Sequence, residues 1–246
     1  MSAIKFFDAY SIRARLFPAL IAAAPALAAL TLLISWRTFG ISNVIASIGM
    51  LVLLFAVADF ARARGRAIEI ELHAELKGLP SITMFRRSDQ TINDGSKNRY
   101  RDHLARELGV SAPSIEEERE DQRAADAFYE QCGVWLRQRT RDTKAFPLLF
   151  AENITYGFRR NLLGVKAFSL WLNAIVVTVC AFMLWRISWA LNTPLGGKLA
   201  VVLIVAVAHA AYMVLAVNRK AVRDASRAYG RELILSCESL LQPVKK

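Results

Sequence analysis

The sequence predicts an all-α membrane protein: four transmembrane helices in two hairpins, with a mostly helical cytoplasmic domain inserted between them. Three observations carry this expectation. The 246-residue chain is 54% hydrophobic yet 22% charged, and the two kinds of residue are segregated along it. The apolar residues gather into four blocks, each near the ~20 residues that a helix needs to cross a bilayer core. Lys and Arg crowd the segments on one side of those blocks and are sparse on the other.

The first block, residues 16–36, has Pro18 in its opening turn and Pro25 inside, where a kink is expected. It follows Lys5, Arg13 and Arg15 in the manner of a signal peptide. Its length, however, exceeds the ~7–15 residues of a signal h-region, so it is read as a span. The link 37–40 is too short to do anything but turn the chain, and the second span, 41–60, comes straight back. Arg62, Arg64 and Arg66 stop it. The third span, 167–185, follows Arg159, Arg160 and Lys166. A link over 186–198 carries Trp189 and an Asn-Thr-Pro-Leu-Gly-Gly turn, and the fourth span, 199–217, ends at Arg219 and Lys220. The chain thus divides into 1–60, 61–166, 167–218 and a C-terminal helix or tail, 219–246. By the positive-inside rule, both termini and the inserted domain face the cytoplasm of a bacterial inner membrane.

Within the inserted domain, 67–76 continues the second span as a helix that Gly78 and Pro80 end. Residues 82–85 read as strand or extended chain and 88–96 as a polar turn. Residues 98–108 form a helix closed by Gly109. Ser114 and Glu117 have capping-box spacing, opening a helix that runs to about Arg141, with acids in its first turns and Ala125, Phe128, Cys132, Trp135 and Leu136 as its buried stripe. Residues 146–150 read as an apolar loop and 152–163 as helix or turn.

Catalytic chemistry finds little support. There is no P-loop, no G-x-G-x-x-G and no HExxH. His103, in the stretch RYRDH, has no second acid or base fixed beside it and reads as a surface residue; His73 reads as an exposed or packing residue. Cys132, Cys180 and Cys237 are far apart, lack metal-ligand spacing, and read as small buried hydrophobes. The expectation is a protein that is not an enzyme and has neither metal nor cofactor.

Two residue sets remain. Asp59, Asn173, Thr178 and His209 fall in or at the ends of the spans, where polar groups are costly and face other helices or a wet path. They read either as interhelical hydrogen bonds or as pore and gating positions. Small residues in the first and fourth spans favour close helix contact and a homo-oligomer. The second set is basic: Arg86, Arg87, Lys97, Arg99, Arg101 and Arg106 lie close together, and Tyr156, Phe158, Arg159 and Arg160 put aromatics beside arginines. Arginine with neighbouring aromatic faces suits phosphates and unpaired bases. Anionic-lipid contact, especially at Arg159 and Arg160, and salt bridges with the domain's many acids are the alternatives. The domain is only slightly basic overall, so a binding surface has to come from segregation of charge.

The two-hairpin layout, the inserted basic domain and the stretch ENITYGFRRN at 152–161 resemble the membrane effectors that bacteria pair with nucleotidyltransferases in anti-phage defence, most of all those of the Hailong system. That resemblance implies a tetrameric ion channel whose cytoplasmic domain binds a single-stranded DNA oligomer, or another nucleotide, made by the partner enzyme. A scaffold that recruits a soluble partner through the acidic helix is the alternative from a different class.

Overall fold

A computed structural model describes residues 8–34 and 43–241, and every regular element among them is helical. In chain order these are α1 (Phe17–Leu33), entered through a π-helical turn at Ser11–Leu16, α2 (Asn43–Glu75), α3 (Pro80–Thr83), α4 (Asp94–Leu108), α5 (Ile115–Glu120), α6 (Gln122–Arg139), α7 (Pro147–Gly164), α8 (Lys166–Arg186), α9 (Pro194–Leu215) and α10 (Arg219–Leu241). The chain forms two compact units. Unit 1 takes 1–69 and 157–222; unit 2 takes 70–156 and 223–246. The link at 37–40, with the span residues 35–36 and 41–42 beside it, lies outside the described residues.

Among the described residues, three helices are long and apolar enough to cross a membrane: Ala9–Leu33, Lys166–Arg186 and Pro194–Leu215. They pack against one another in unit 1. Close approach is possible because α1 presents Ala19, Ala22 and Ala23, all buried, where larger side chains would hold the helices apart. Val176, Cys180 and Leu184 of α8 meet Leu199 and Val202 of α9 in one apolar cluster. The outward faces are apolar as well: Trp171 is 73% exposed and Leu215 77%. A water-facing helix would carry charge at such positions, whereas lipid suits them. Helix α1 continues through Pro25 as one element. The second predicted span enters the described structure as the first half of α2, where Leu51, Val52 and Leu53 are exposed.

Helices α2 and α7 cross at two glycines. A Cβ on Gly164 would come within 2.6 Å of the Gly65 nitrogen, and one on Gly65 within 2.2 Å of Asn161 Oδ1. Only hydrogen fits at either position.

Unit 2 folds round a cluster that includes Phe85, Tyr100, Leu104, Tyr129, Leu136, Leu233 and Ile234. Its helix ends are built by side chains and glycine. Asn93 caps α4, and Gly109 closes it with φ 67°. Ser114 and Glu117 form the capping box of α5. Four local expectations change. Residues 82–85 are neither strand nor extended, because Pro80 opens a short helical turn, α3. Helix α4 starts four residues before 98 because Asn93 supplies its cap. The helix expected over 114–141 is two helices, broken at Asp121, whose carboxylate accepts from the Arg123 and Ala124 nitrogens and starts α6. The stretch 146–150 is not a loop: Pro147 begins α7, where its missing N–H costs nothing.

Candidate functional site

The basic residues of unit 2 meet very different surroundings. Lys97 is fully buried, and its ammonium donates to the Arg86 carbonyl (2.9 Å) and the Asp89 carbonyl, with Asp94 at 3.2 Å. Arg101, 1% exposed, spends Nε and Nη2 on the Phe85 carbonyl and donates from Nη1 to Asn98 Oδ1 at 2.6 Å. Arg86 holds Asp126 with two hydrogen bonds, 2.9 and 2.7 Å, and donates to the Lys77 carbonyl. The Asp126 carboxylate raises the Arg86 pKa. These three were expected to face a ligand. They serve as internal struts, because the loop 84–93 leaves carbonyls pointing inward that need donors.

Arg87 opens instead onto a cavity of about 470 Å³, walled in part by the buried Arg101 and lined also by Ser88, Asn98, Arg119, Gln122 and two acids, Asp94 and Glu118. Arg87 donates from Nη2 to the Pro113 carbonyl at 2.8 Å, and its backbone nitrogen donates to Glu118 at 2.8 Å. Glu118 is buried and also accepts the Tyr129 hydroxyl at 2.5 Å, so its lone pairs are largely spent. Burial, and then that hydrogen bond, push the Tyr129 pKa up. Arg119 is exposed and has no ion-pair partner among the described residues. The cavity therefore offers one unspent guanidinium, one partly spent one, and the amides of Asn98 and Gln122. Arg119 sits inside a run of glutamates and was missed in the sequence. The break after the short helix α5, at Asp121, lets it line the same cavity as Arg87.

Arg99 and Arg106 border a wider hollow with Asp102 and Glu238. Arg99 pairs with Glu238 at 3.1 Å while staying 60% exposed, and the Tyr100 hydroxyl donates to the same carboxylate at 2.9 Å. Burial, with that bond, pushes Tyr100 up to about 12. Arg106 is exposed.

The aromatic-arginine stretch does not form one surface. Tyr156, in unit 2, is buried and stacked on Tyr229, ring centroids 6.2 Å apart. Phe158, in unit 1, packs against the cluster of Leu162, Met213 and Val217. Arg159 is exposed and donates to the Ala221 carbonyl at 3.2 Å. Arg160 pairs with Glu69 at 2.6 Å.

In unit 1 the span polar residues form a seam. Ser169 donates to the Ala22 carbonyl at 3.1 Å and lies 2.9 Å from His209 Nε2. With the hydroxyl hydrogen on Ala22, Nε2–H is the donor and Nδ1 an acceptor. Nδ1 has no hydrogen-bond partner among the described residues. One turn on, Asn173 donates to the Ala206 carbonyl at 3.0 Å, and its Oδ1 has no partner among the described residues. At the other end of the seam Asn161 donates to the Ala14 carbonyl at 2.7 Å. Ala14 lies four residues before Pro18, so in an α-helix its usual donor is the N–H that proline lacks. Asn161/Ala14 and Ser169/Ala22 share the same sequence offset, so the two strings of helix run in register. Thr178 lies off the seam, exposed, bonded to the Ala174 carbonyl in its own helix. Asp59 is exposed.

All three cysteines are free and buried. Burial pushes the Cys132 thiol up to about 12 and raises Cys237 as well. His103 sits edge-on to Trp135, 5.9 Å between ring centroids. No cluster of His, Cys, Asp and Glu that could hold a metal ion is present among the described residues. Comparison with protein-family models, with curated proteins and with solved structures finds no match.

Proposed function

We propose that this protein is an oligomeric membrane channel effector whose polar unit binds a nucleotide or single-stranded oligonucleotide and thereby biases a pore. The observation that carries the reading is the arginine-lined cavity of unit 2, in a chain whose other unit is a bundle of span-length apolar helices. The first half of α2 supplies the fourth span, since its exposed Leu51, Val52 and Leu53 suit lipid or a neighbouring subunit. Lys and Arg density puts unit 2 and both termini in the cytoplasm. The pore lies on a symmetry axis between copies of the chain, in a tetramer if the resemblance to the anti-phage effectors holds. Those effectors also supply the proposed setting: a bacterial inner membrane and a ligand made by a partner nucleotidyltransferase.

The ligand has to prefer one pore state to shift the equilibrium. Arg87 and Arg119 would hold phosphate, and Asn98 and Gln122 would read base edges. Two phosphate contacts give a log–log salt slope of about −1.4 for a single strand, at ~0.7 per contact. Anisotropy of a labelled deoxyoligonucleotide on detergent-purified protein measures it. Arg119→Ala is expected to reduce the slope by about 0.7, and Arg106→Ala, outside the cavity, to leave it unchanged. No binding at low salt would remove the sensing role and favour a scaffold that recruits a soluble partner.

A further inference from the structure

A second cavity, of about 300 Å³, lies wholly within unit 1. Its walls are Phe158 and Leu162 from α7, Tyr212 from the last turn of α9, and Val217, Ala221 and Val222 from the α9–α10 corner and the first turn of α10. Most of this lining is apolar, with Arg159 at the rim. Arg159 makes one hydrogen bond, to the Ala221 carbonyl, and has no carboxylate partner among the described residues. A guanidinium carries five donors, so most of its capacity is unused.

The position of the cavity decides what it fits. Helix α8 begins at Lys166 and α9 ends at Leu215, and the Lys166 ammonium donates to the Val217 carbonyl at 2.7 Å. The start of one candidate span and the end of the other are therefore at the same level. The cavity lies at that level, where a bilayer changes from hydrocarbon to headgroups. Val214 and Leu215, 56% and 77% exposed, continue the apolar surface beside it. Tyrosine is favoured at this depth, and Tyr212 is one of the lining residues.

We infer that this cavity binds the headgroup of an anionic phospholipid, with the phosphate on Arg159 and the glycerol against Phe158, Leu162 and Val217. The volume suits a headgroup and not a whole lipid, so the acyl chains run along the exposed faces of α8 and α9. Zwitterionic lipid fits the same walls but carries its own cation against Arg159, which lowers its share of the site. The inference rests on the membrane reading of unit 1 and is independent of any nucleotide ligand.

The test is native mass spectrometry of the full-length protein in nonionic detergent, titrated with equimolar dioleoylphosphatidylglycerol and dioleoylphosphatidylcholine. The expected result is preferential retention of phosphatidylglycerol, by about fivefold, the factor one cation contributes at an anionic surface. Arg159→Ala, at an exposed position, should abolish the preference. Ala216→Trp fills the exposed mouth of the cavity without changing charge and should reduce adducts of both lipids. Arg66→Ala removes the same charge from exposed α2 and should change nothing. Equal retention of the two lipids, or a preference lost equally in Arg66→Ala, or insensitivity to Ala216→Trp, would overturn the site. Displacement of the lipid by millimolar inorganic phosphate would mark a free-phosphate site and overturn it too. A protein that stays in solution without detergent would sink the membrane reading itself, whereas one that needs detergent but shows no preference would sink this inference alone.

Discussion

Lys97 and Arg99 lie two positions apart on α4 and do opposite things. The Lys97 ammonium is sealed from solvent and holds two loop carbonyls, and leaving such acceptors bare costs about 1–3 kcal/mol each. Lys97→Met is therefore expected to destabilise unit 2 by roughly 2–4 kcal/mol, read by chemical denaturation of the detergent-solubilised protein. Arg99→Ala, at an exposed pair, should change stability by less than about 1 kcal/mol. A pH titration checks the buried polar groups from another side. Tyr100 is raised from 10.0 to about 12 by burial and its Glu238 bond, and Tyr129 is raised in the same direction. Raised phenols stabilise the fold fully below pH 10 and lose that contribution as pH climbs through about 12. The thermal midpoint should fall over that window, and less steeply in Tyr100→Phe. At this scale the sequence located the arginines without showing which were spent. Residue type and spacing are the same for a strut and for a ligand contact. What separates them is whether a loop carbonyl points at the side chain, and that depends on the path of 84–93.

Helices were the most legible level. The three span-length helices α1, α8 and α9, the α5 capping box and the Gly109 stop all follow from local chemistry, apolar runs of sufficient length, Ser114 with Glu117, and a residue free to take positive φ. Asp121 was not legible as a break, because it stands beside four other acids, Glu116, Glu117, Glu118 and Glu120, that equally suit the first turns of one long helix. Its role emerges only when its carboxylate turns to the Arg123 and Ala124 nitrogens. Asp121→Ala should cost unit 2 about 1 kcal/mol, the usual worth of such a cap. Residues 219–246, read as a C-terminal helix or tail, were not seen to pack, although Leu233, Ile234 and Cys237 are fully buried in the unit 2 cluster. Their charges hide an apolar stripe of helical period. The glycines give a sharper check. A Cβ at Gly164 meets backbone atoms at 2.6 and 2.7 Å that cannot yield, whereas one at Gly49 meets nothing within 4 Å. Gly164→Ala should therefore lose most folded protein on size-exclusion chromatography in detergent, and Gly49→Ala should elute as wild type does.

For the whole molecule, the chain forms two compact units, and their boundaries lie inside α2, α7 and α10, not at 60, 166 and 218 where the charge pattern changes. The buried seam of Ser169, Asn173 and His209 joins α1, α8 and α9 within one chain, which fits a clamp for the bundle more directly than a water path. On the proposed function, a pore between subunits would then be lined elsewhere, with the exposed first half of α2 the nearest candidate. The most direct test of the channel claim is conductance of the purified full-length protein in planar bilayers, with and without a short single-stranded deoxyoligonucleotide on the side facing unit 2. The account predicts discrete single-channel steps whose open probability changes on adding the oligonucleotide and responds only at higher oligonucleotide concentration in Arg119→Ala. A bilayer that remains silent with correctly inserted, oligomeric protein, with and without the oligonucleotide, would contradict it.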